Sequence, residues 1–93
     1  GAMPKDDRGI FYYPVPNNKA VRMYVRDTMN GIEFRLWNDE HPDVWDHHNW
    51  IPMEVVKQAS DLYKKERDPS KNPMDLYDLE IARRLLREYG QRQ

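Results

Sequence analysis

Between positions 21 and 37 apolar and polar residues alternate. Val21, Met23 and Val25 are interleaved with Arg22, Tyr24 and Arg26, and Ile32, Phe34 and Leu36 with Glu33, Arg35 and Trp37. A period of two is that of a half-buried strand. Asn30-Gly31 between the runs is a strong hairpin signal, because a type I′ turn needs positive φ at both central residues. Taking that pair as the loop sets Met29 opposite Ile32, Thr28 opposite Glu33, Arg26 opposite Arg35, Val25 opposite Leu36 and Tyr24 opposite Trp37. Every large aliphatic then shares one face, and a one-residue slip would mix the faces. Upstream, Ile10-Phe11-Tyr12-Tyr13 is a short β-prone run closed by Pro14, Pro16 and the turn-forming Asn17-Asn18. The prolines remove donors, which puts this strand at a sheet edge.

The period then changes. Pro52 suits a first helical position, and over residues 52–66 Val55, Val56, Ala59, Leu62 and Tyr63 form an apolar stripe at helical spacing. Asp68-Pro69-Ser70-Lys71 interrupts the pattern. Asn72 then reads as the cap of a second helix, with Pro73 at its first position and Asp75 near the positive end of its dipole. The stripe of that helix is Met74, Tyr77, Ile81 and Leu85 with Ala82, Leu86 and Tyr89, and Gly90 ends it. Within the acidic, aromatic, histidine-rich segment 38–50, His41-Pro42-Asp43 opens a single helical turn.

These elements predict a small α+β domain of two layers. Its antiparallel sheet has two or three strands around the Asn30-Gly31 hairpin, covered on the aliphatic face by two C-terminal amphipathic helices. A hairpin alone is marginal in water, so the helices must cover it. Gly1-Ala2-Met3 reads as a cleaved-tag scar before a start methionine, and residues 1–8 as a frayed N-terminus. Residues 9–90 are the single domain and 91–93 a tail. No internal repeat or low-complexity segment breaks it.

Of the 93 residues, 39% are hydrophobic and 33% charged, polar for a globular protein. Eleven aromatics nonetheless supply enough burial per residue to argue for a fold. The sequence has no cysteine, which favours a reducing compartment and points to the cytoplasm. No apolar run approaches the roughly 18 residues of a membrane span. The net charge of −1 gives no general pull toward nucleic acid, so any electrostatic recognition must come from local segregation of charge.

Three groups of residues bear on function. The polar hairpin face carries Arg22, Tyr24, Arg26, Arg35 and Trp37, with Lys19 nearby. In the register above Arg26 opposes Arg35, and like charges directly opposed are destabilising. An anionic ligand such as single-stranded nucleic acid would relieve them, with Tyr24 and Trp37 stacking bases. So would purely internal contacts: Glu33 lies diagonal to Arg26, and an arginine can stack on Trp37. Trp45, Trp50 and Ile51 form the second group, either an exposed protein-binding hot spot or packing residues. As packing, Trp50 or Ile51 would cover Val55 or Val56, and Trp45 would seal the sheet edge. The third group is His41, His47 and His48 with Asp39, Glu40, Asp43 and Asp46, the ligand types for zinc. Their spacing fits no metal template, so they are weak candidates, although Asp43–His47 is a pairing that would orient an imidazole.

No nucleophile motif, phosphate-cradling glycine loop or cofactor signature occurs, and the sequence reads as non-catalytic. Arg, Trp and Tyr are the residue types of interface hot spots. The expected function is therefore an accessory or adaptor domain that binds another protein through Arg22, Tyr24, Arg26, Arg35, Trp37, Trp45 and Trp50. The alternatives are single-stranded nucleic acid on the hairpin face and, more remotely, a divalent metal at His41, His47 and His48. Self-association through the edge strand 10–13 is a further expectation.

Overall fold

The structure, a computed structural model, describes residues 4–66 and 76–90. The linker 68–71, the Asn72 cap with Pro73, Met74 and Asp75, residues 1–3 with the tag scar and start methionine, and the tail 91–93 lie outside the described residues, as does the side chain of Tyr63. Among the described residues five antiparallel strands follow one another as a meander: β1 (Lys5–Asp6), β2 (Gly9–Tyr12), β3 (Val21–Thr28), β4 (Gly31–Asn38) and β5 (Ile51–Pro52). A short helix α1 (Asp43–His47) joins β4 to β5, and α2 (Met53–Glu66) and α3 (Leu79–Leu85) follow. A π-helical turn, Leu86–Gly90, continues α3. The α+β class holds, with a wider sheet than the sequence suggested.

The central hairpin forms in a different register. Val25 faces Phe34, Tyr24 faces Arg35, Arg22 faces Trp37 and Arg26 faces Glu33, so the two-residue loop is Met29-Asn30. A slip of two residues leaves every side chain on its own face, so alternation cannot choose between the registers. Turn chemistry chooses. Within the turn only Gly31 has positive φ (+106°), which rules out the type I′ turn at Asn30-Gly31. The Thr28 hydroxyl donates to the Gly31 carbonyl at 2.9 Å and accepts the Asn30 N–H at 3.1 Å. The opposition of Arg26 and Arg35 disappears with the shift. Arg26 instead meets Glu33 in an ion pair of 2.7 Å.

Two strands extend the sheet beyond expectation. Lys5–Asp6 lies within the fold and is not frayed, because Gly9 at φ +130° lets the backbone turn after Asp7-Arg8 and pair Lys5 with Ile10. Ile10 therefore has a partner on both sides, Lys5 and Val25, and the Phe11 N–H bonds to the Pro4 carbonyl at 2.9 Å, so β1 covers the first half of the run expected as an edge. At the other side Ile51 pairs with Phe34.

The aliphatic face carries the core: Ile10, Met23, Val25 and Phe34 from the sheet, Val56 from α2, and Ala82, Leu85 and Leu86 from the C-terminal helix. Met23 and Phe34 are fully buried, each contributing about 1.5–3 kcal/mol relative to exposure. The Phe34 ring meets Tyr77 edge-on at 5.4 Å. Among the described side chains of the expected α2 stripe, Val56 is 3% exposed, but Val55 and Leu62 are 49% and 61% exposed.

Helix α3 starts later than residue 73. Its cap is Asp78, whose carboxylate accepts the Ile81 N–H at 3.0 Å. The preceding backbone is held by Tyr12, whose hydroxyl donates to the Leu76 carbonyl at 2.6 Å and accepts the Asp78 N–H at 2.8 Å. That side chain satisfies groups which a helix begun at residue 73 would have paired internally.

Candidate functional site

The second face of the sheet is covered too. Pro42, at the N-terminal boundary of α1, has helical φ, and the Trp45 N–H bonds back to its carbonyl at 3.2 Å. The turn brings the Trp45 indole over the sheet, edge-on to Tyr24 at 5.3 Å, with Trp37 and Trp50 each 6.2 Å away. Phe11 adjoins Tyr24 at 5.4 Å, so five rings form one layer with Trp45 at its centre. Such centroid spacings and tilts are favourable for aromatic pairs.

Arginines complete the layer. The Arg35 guanidinium lies 3.9 Å from the Trp45 ring centre, Arg8 3.8 Å from Trp37, Arg26 4.3 Å from Trp50 and Arg22 4.9 Å from Phe11. Each cation over a ring face contributes about 0.5–2 kcal/mol, more where water is excluded. Arg35 also donates from Nε to the Trp45 carbonyl at 3.2 Å, and from Nη2 to the same oxygen. The Trp37 indole N–H donates to Asp39 at 2.6 Å.

A polar knot is part of the same layer. Asp6 accepts from the Tyr24 hydroxyl, from Arg22 Nη1 at 2.7 Å and from the Arg8 backbone N–H at 2.8 Å. Burial pushes the Asp6 carboxyl up, but the Tyr24, Arg8 and Arg22 contacts together outweigh it and hold it below the usual carboxylate value. Burial raises the Tyr24 hydroxyl above its ordinary range, and the charge of Asp6 adds to that.

All seven binding residues expected from sequence therefore lie in one continuous layer, which joins the hairpin face to the Trp45–Trp50 segment. Their accessibility differs. Tyr24 is wholly buried and cannot stack on a ligand, whereas Trp37, Trp45 and Trp50 are half-buried and Arg26 is exposed. Trp45 covers the middle of the face and not the sheet edge. Arg8, Asp6 and Phe11 are members that the sequence reading missed. The only signal for them was Gly9, which permits the turn that folds residues 5–6 onto β2.

The histidines stand apart. His41, His47 and His48 are exposed on the outer side of the α1 segment, and Asp43–His47 is a solvent-facing pair at 3.6 Å. Among the described residues no group of three or more His, Asp or Glu side chains converges as a metal site. No described helix is long and apolar enough to cross a membrane.

Compared with known proteins, the sequence matches no family model, no curated relative and no solved structure.

Proposed function

We propose that this is a non-catalytic module that binds another protein through the Trp45-centred layer, with Trp37, Trp50, Arg8 and Arg26 as its contact residues. The observation that carries the reading is that three half-buried indoles each hold an arginine over the ring, at 3.8, 3.9 and 4.3 Å. Trp and Arg lead the residue types whose truncation costs most at interfaces. Side chains already fixed against one another lose little rotamer freedom when a partner arrives, which favours affinity. A cytoplasmic setting, expected from the cysteine-free sequence, belongs to the same proposal.

Single-stranded nucleic acid is less well served. Base stacking needs open ring faces, but guanidiniums lie over the indoles and Tyr24 is buried. Asp39, Glu40, Asp43 and Asp46 are exposed on the adjoining α1 segment and would repel phosphates.

The test compares proteins retained by the native protein with those retained by an Arg8→Glu/Arg26→Glu variant of matched thermal stability. A protein held by the first and lost by the second supports the reading. If neither retains a distinct protein, while oligonucleotides bind the native form in a salt-sensitive way, the surface is a nucleic-acid site instead.

A further inference from the structure

Asn30 occupies the exposed tip of the β3–β4 hairpin, where Met29 beside it is fully exposed at 102%. The turn does not rely on Asn30 for its special backbone, since the positive φ falls at Gly31. Nor is the side-chain amide engaged: the Asn30 contact is its backbone N–H on Thr28 Oγ1 at 3.1 Å, and no hydrogen bond to the amide occurs among the described residues. Open space adjoins the next residue, since a Cβ placed on Gly31 would meet nothing within 4 Å. Asn18, Asn38 and Asn49 differ on both counts. Their side-chain oxygens accept the N–H of Ala20, Glu40 and Trp50 at 3.1, 2.9 and 2.8 Å, and the residues after them are Lys19, Asp39 and Trp50.

We propose that Asn30-Gly31 is a site of spontaneous deamidation and isoaspartate formation in the folded protein. The Gly31 backbone nitrogen loses its proton to solvent base and attacks Asn30 Cγ. The new C–N bond closes a succinimide ring as the bond from Cγ to the amide nitrogen Nδ2 breaks, and that nitrogen takes a proton back from solvent and leaves as ammonia. Water then adds to one of the two ring carbonyls and opens a C–N bond. Addition at one carbonyl gives aspartate and at the other isoaspartate. The net change replaces the amide nitrogen by oxygen, with water as sole co-reactant and no oxidation.

Both products put a negative charge at the hairpin tip, and isoaspartate also adds a backbone methylene to a two-residue loop. The pairs Thr28–Gly31 and Asp27–Ile32, which close the hairpin, would be the first to loosen. The modification thus acts as a slow, one-way change in the tip of the longest hairpin of the sheet.

The native protein is held in mildly alkaline buffer, sampled over time and digested with trypsin beside an unincubated sample. Cleavage after Arg26 and Arg35 isolates residues 27–35. Liquid chromatography with mass spectrometry is expected to show that peptide gaining the mass of the amide-to-acid change and splitting into two forms of equal mass, isoaspartate the larger, with the peptides holding Asn18, Asn38 and Asn49 unchanged. Asn30→Gln abolishes the conversion. A native protein whose 27–35 peptide keeps its mass, while the same protein unfolded in denaturant converts, would overturn the proposal. Conversion at Asn18 or Asn38 ahead of Asn30 would overturn it too.

Discussion

Arg35 holds Trp45 twice: its guanidinium donates to the Trp45 backbone carbonyl and lies 3.9 Å from the indole of the same residue. One side chain on β4 thereby fixes both the backbone and the ring of the residue at the centre of the second face. Arg35→Ala removes the hydrogen bonds and the cation–π contact together, at an expected cost of about 2 kcal/mol. Arg35→Lys keeps the charge but not the planar fork, and recovers only part of that stability. Chemical denaturation followed by tryptophan emission measures both. A cost below about 0.5 kcal/mol for the alanine variant, the range of ordinary surface changes, would show that Trp45 is held without Arg35.

Asp6 joins the N-terminal strand to the layer, so its titration should show in stability. Its folded carboxyl lies below the unfolded value. The resulting stability is fully present above the unfolded pKa of about 3.9 and is lost as pH falls through the folded value. Asp6→Asn is expected to destabilise by about 1–3 kcal/mol at neutral pH and to flatten the decline below about pH 4. Denaturant midpoints across that range would decide. Parallel curves for the two proteins would show that the Arg22 and Tyr24 contacts of Asp6 do not form in solution.

Tyr12 gives the opposite sign at the alkaline end. Burial pushes its hydroxyl up to about 12, with the Asp78 and Tyr77 charges adding to the rise. Stability from this group is complete below the ordinary tyrosine value of about 10 and disappears as pH rises through the folded value. Tyr12→Phe leaves the Leu76 carbonyl and Asp78 N–H without their partner, at about 1–3 kcal/mol near neutrality. Part of the alkaline sensitivity should survive in the variant, because burial also raises Tyr77 and Tyr24. Equal stability of the variant and native proteins would contradict the bridging role.

The two sides of α2 separate cleanly. Val56→Ala is expected to cost about 2 kcal/mol, for Val56 is 3% exposed within the core. Leu62→Ser, at a position 61% exposed, should change stability by no more than about 0.5 kcal/mol. Thermal melts of both variants check the pair, and a costly Leu62→Ser would mean that something covers that side of the helix in solution.

What the sequence could reveal followed from periodicity. Val21, Met23, Val25, Phe34 and Leu36 share a face in either register, so the alternation identified the face and left the pairing open. The register depended on Thr28 and the single positive φ of Gly31, which are matters of turn geometry. The start of α3 was hidden for a similar reason: Asp78 caps it only because Tyr12, distant in sequence, holds the backbone just before. The arginine and aromatic residues of the site were evident as residue types. Their stacking was not, because it depends on α1 folding back over β4 and on β1 and the turn after it delivering Asp6 and Arg8. Arg26 shows the limit well. The alternation set it opposite Arg35 with Glu33 only diagonal to it, whereas it faces Glu33 directly, pairs with it and stacks onto Trp50.

The proposed binding surface requires the arginine–tryptophan layer to be assembled before any partner arrives. Arginine side-chain resonances in an NMR spectrum of the free protein test it most directly, because an aromatic ring shifts the protons above its face upfield. Arg8, Arg26 and Arg35 should all show upfield-shifted side-chain protons with cross-relaxation to Trp37, Trp50 and Trp45 respectively, and all three should lose them in Trp45→Ala. Side chains of Arg8, Arg26 and Arg35 resonating at unstructured-peptide positions would contradict the layer, and with it the proposed binding surface.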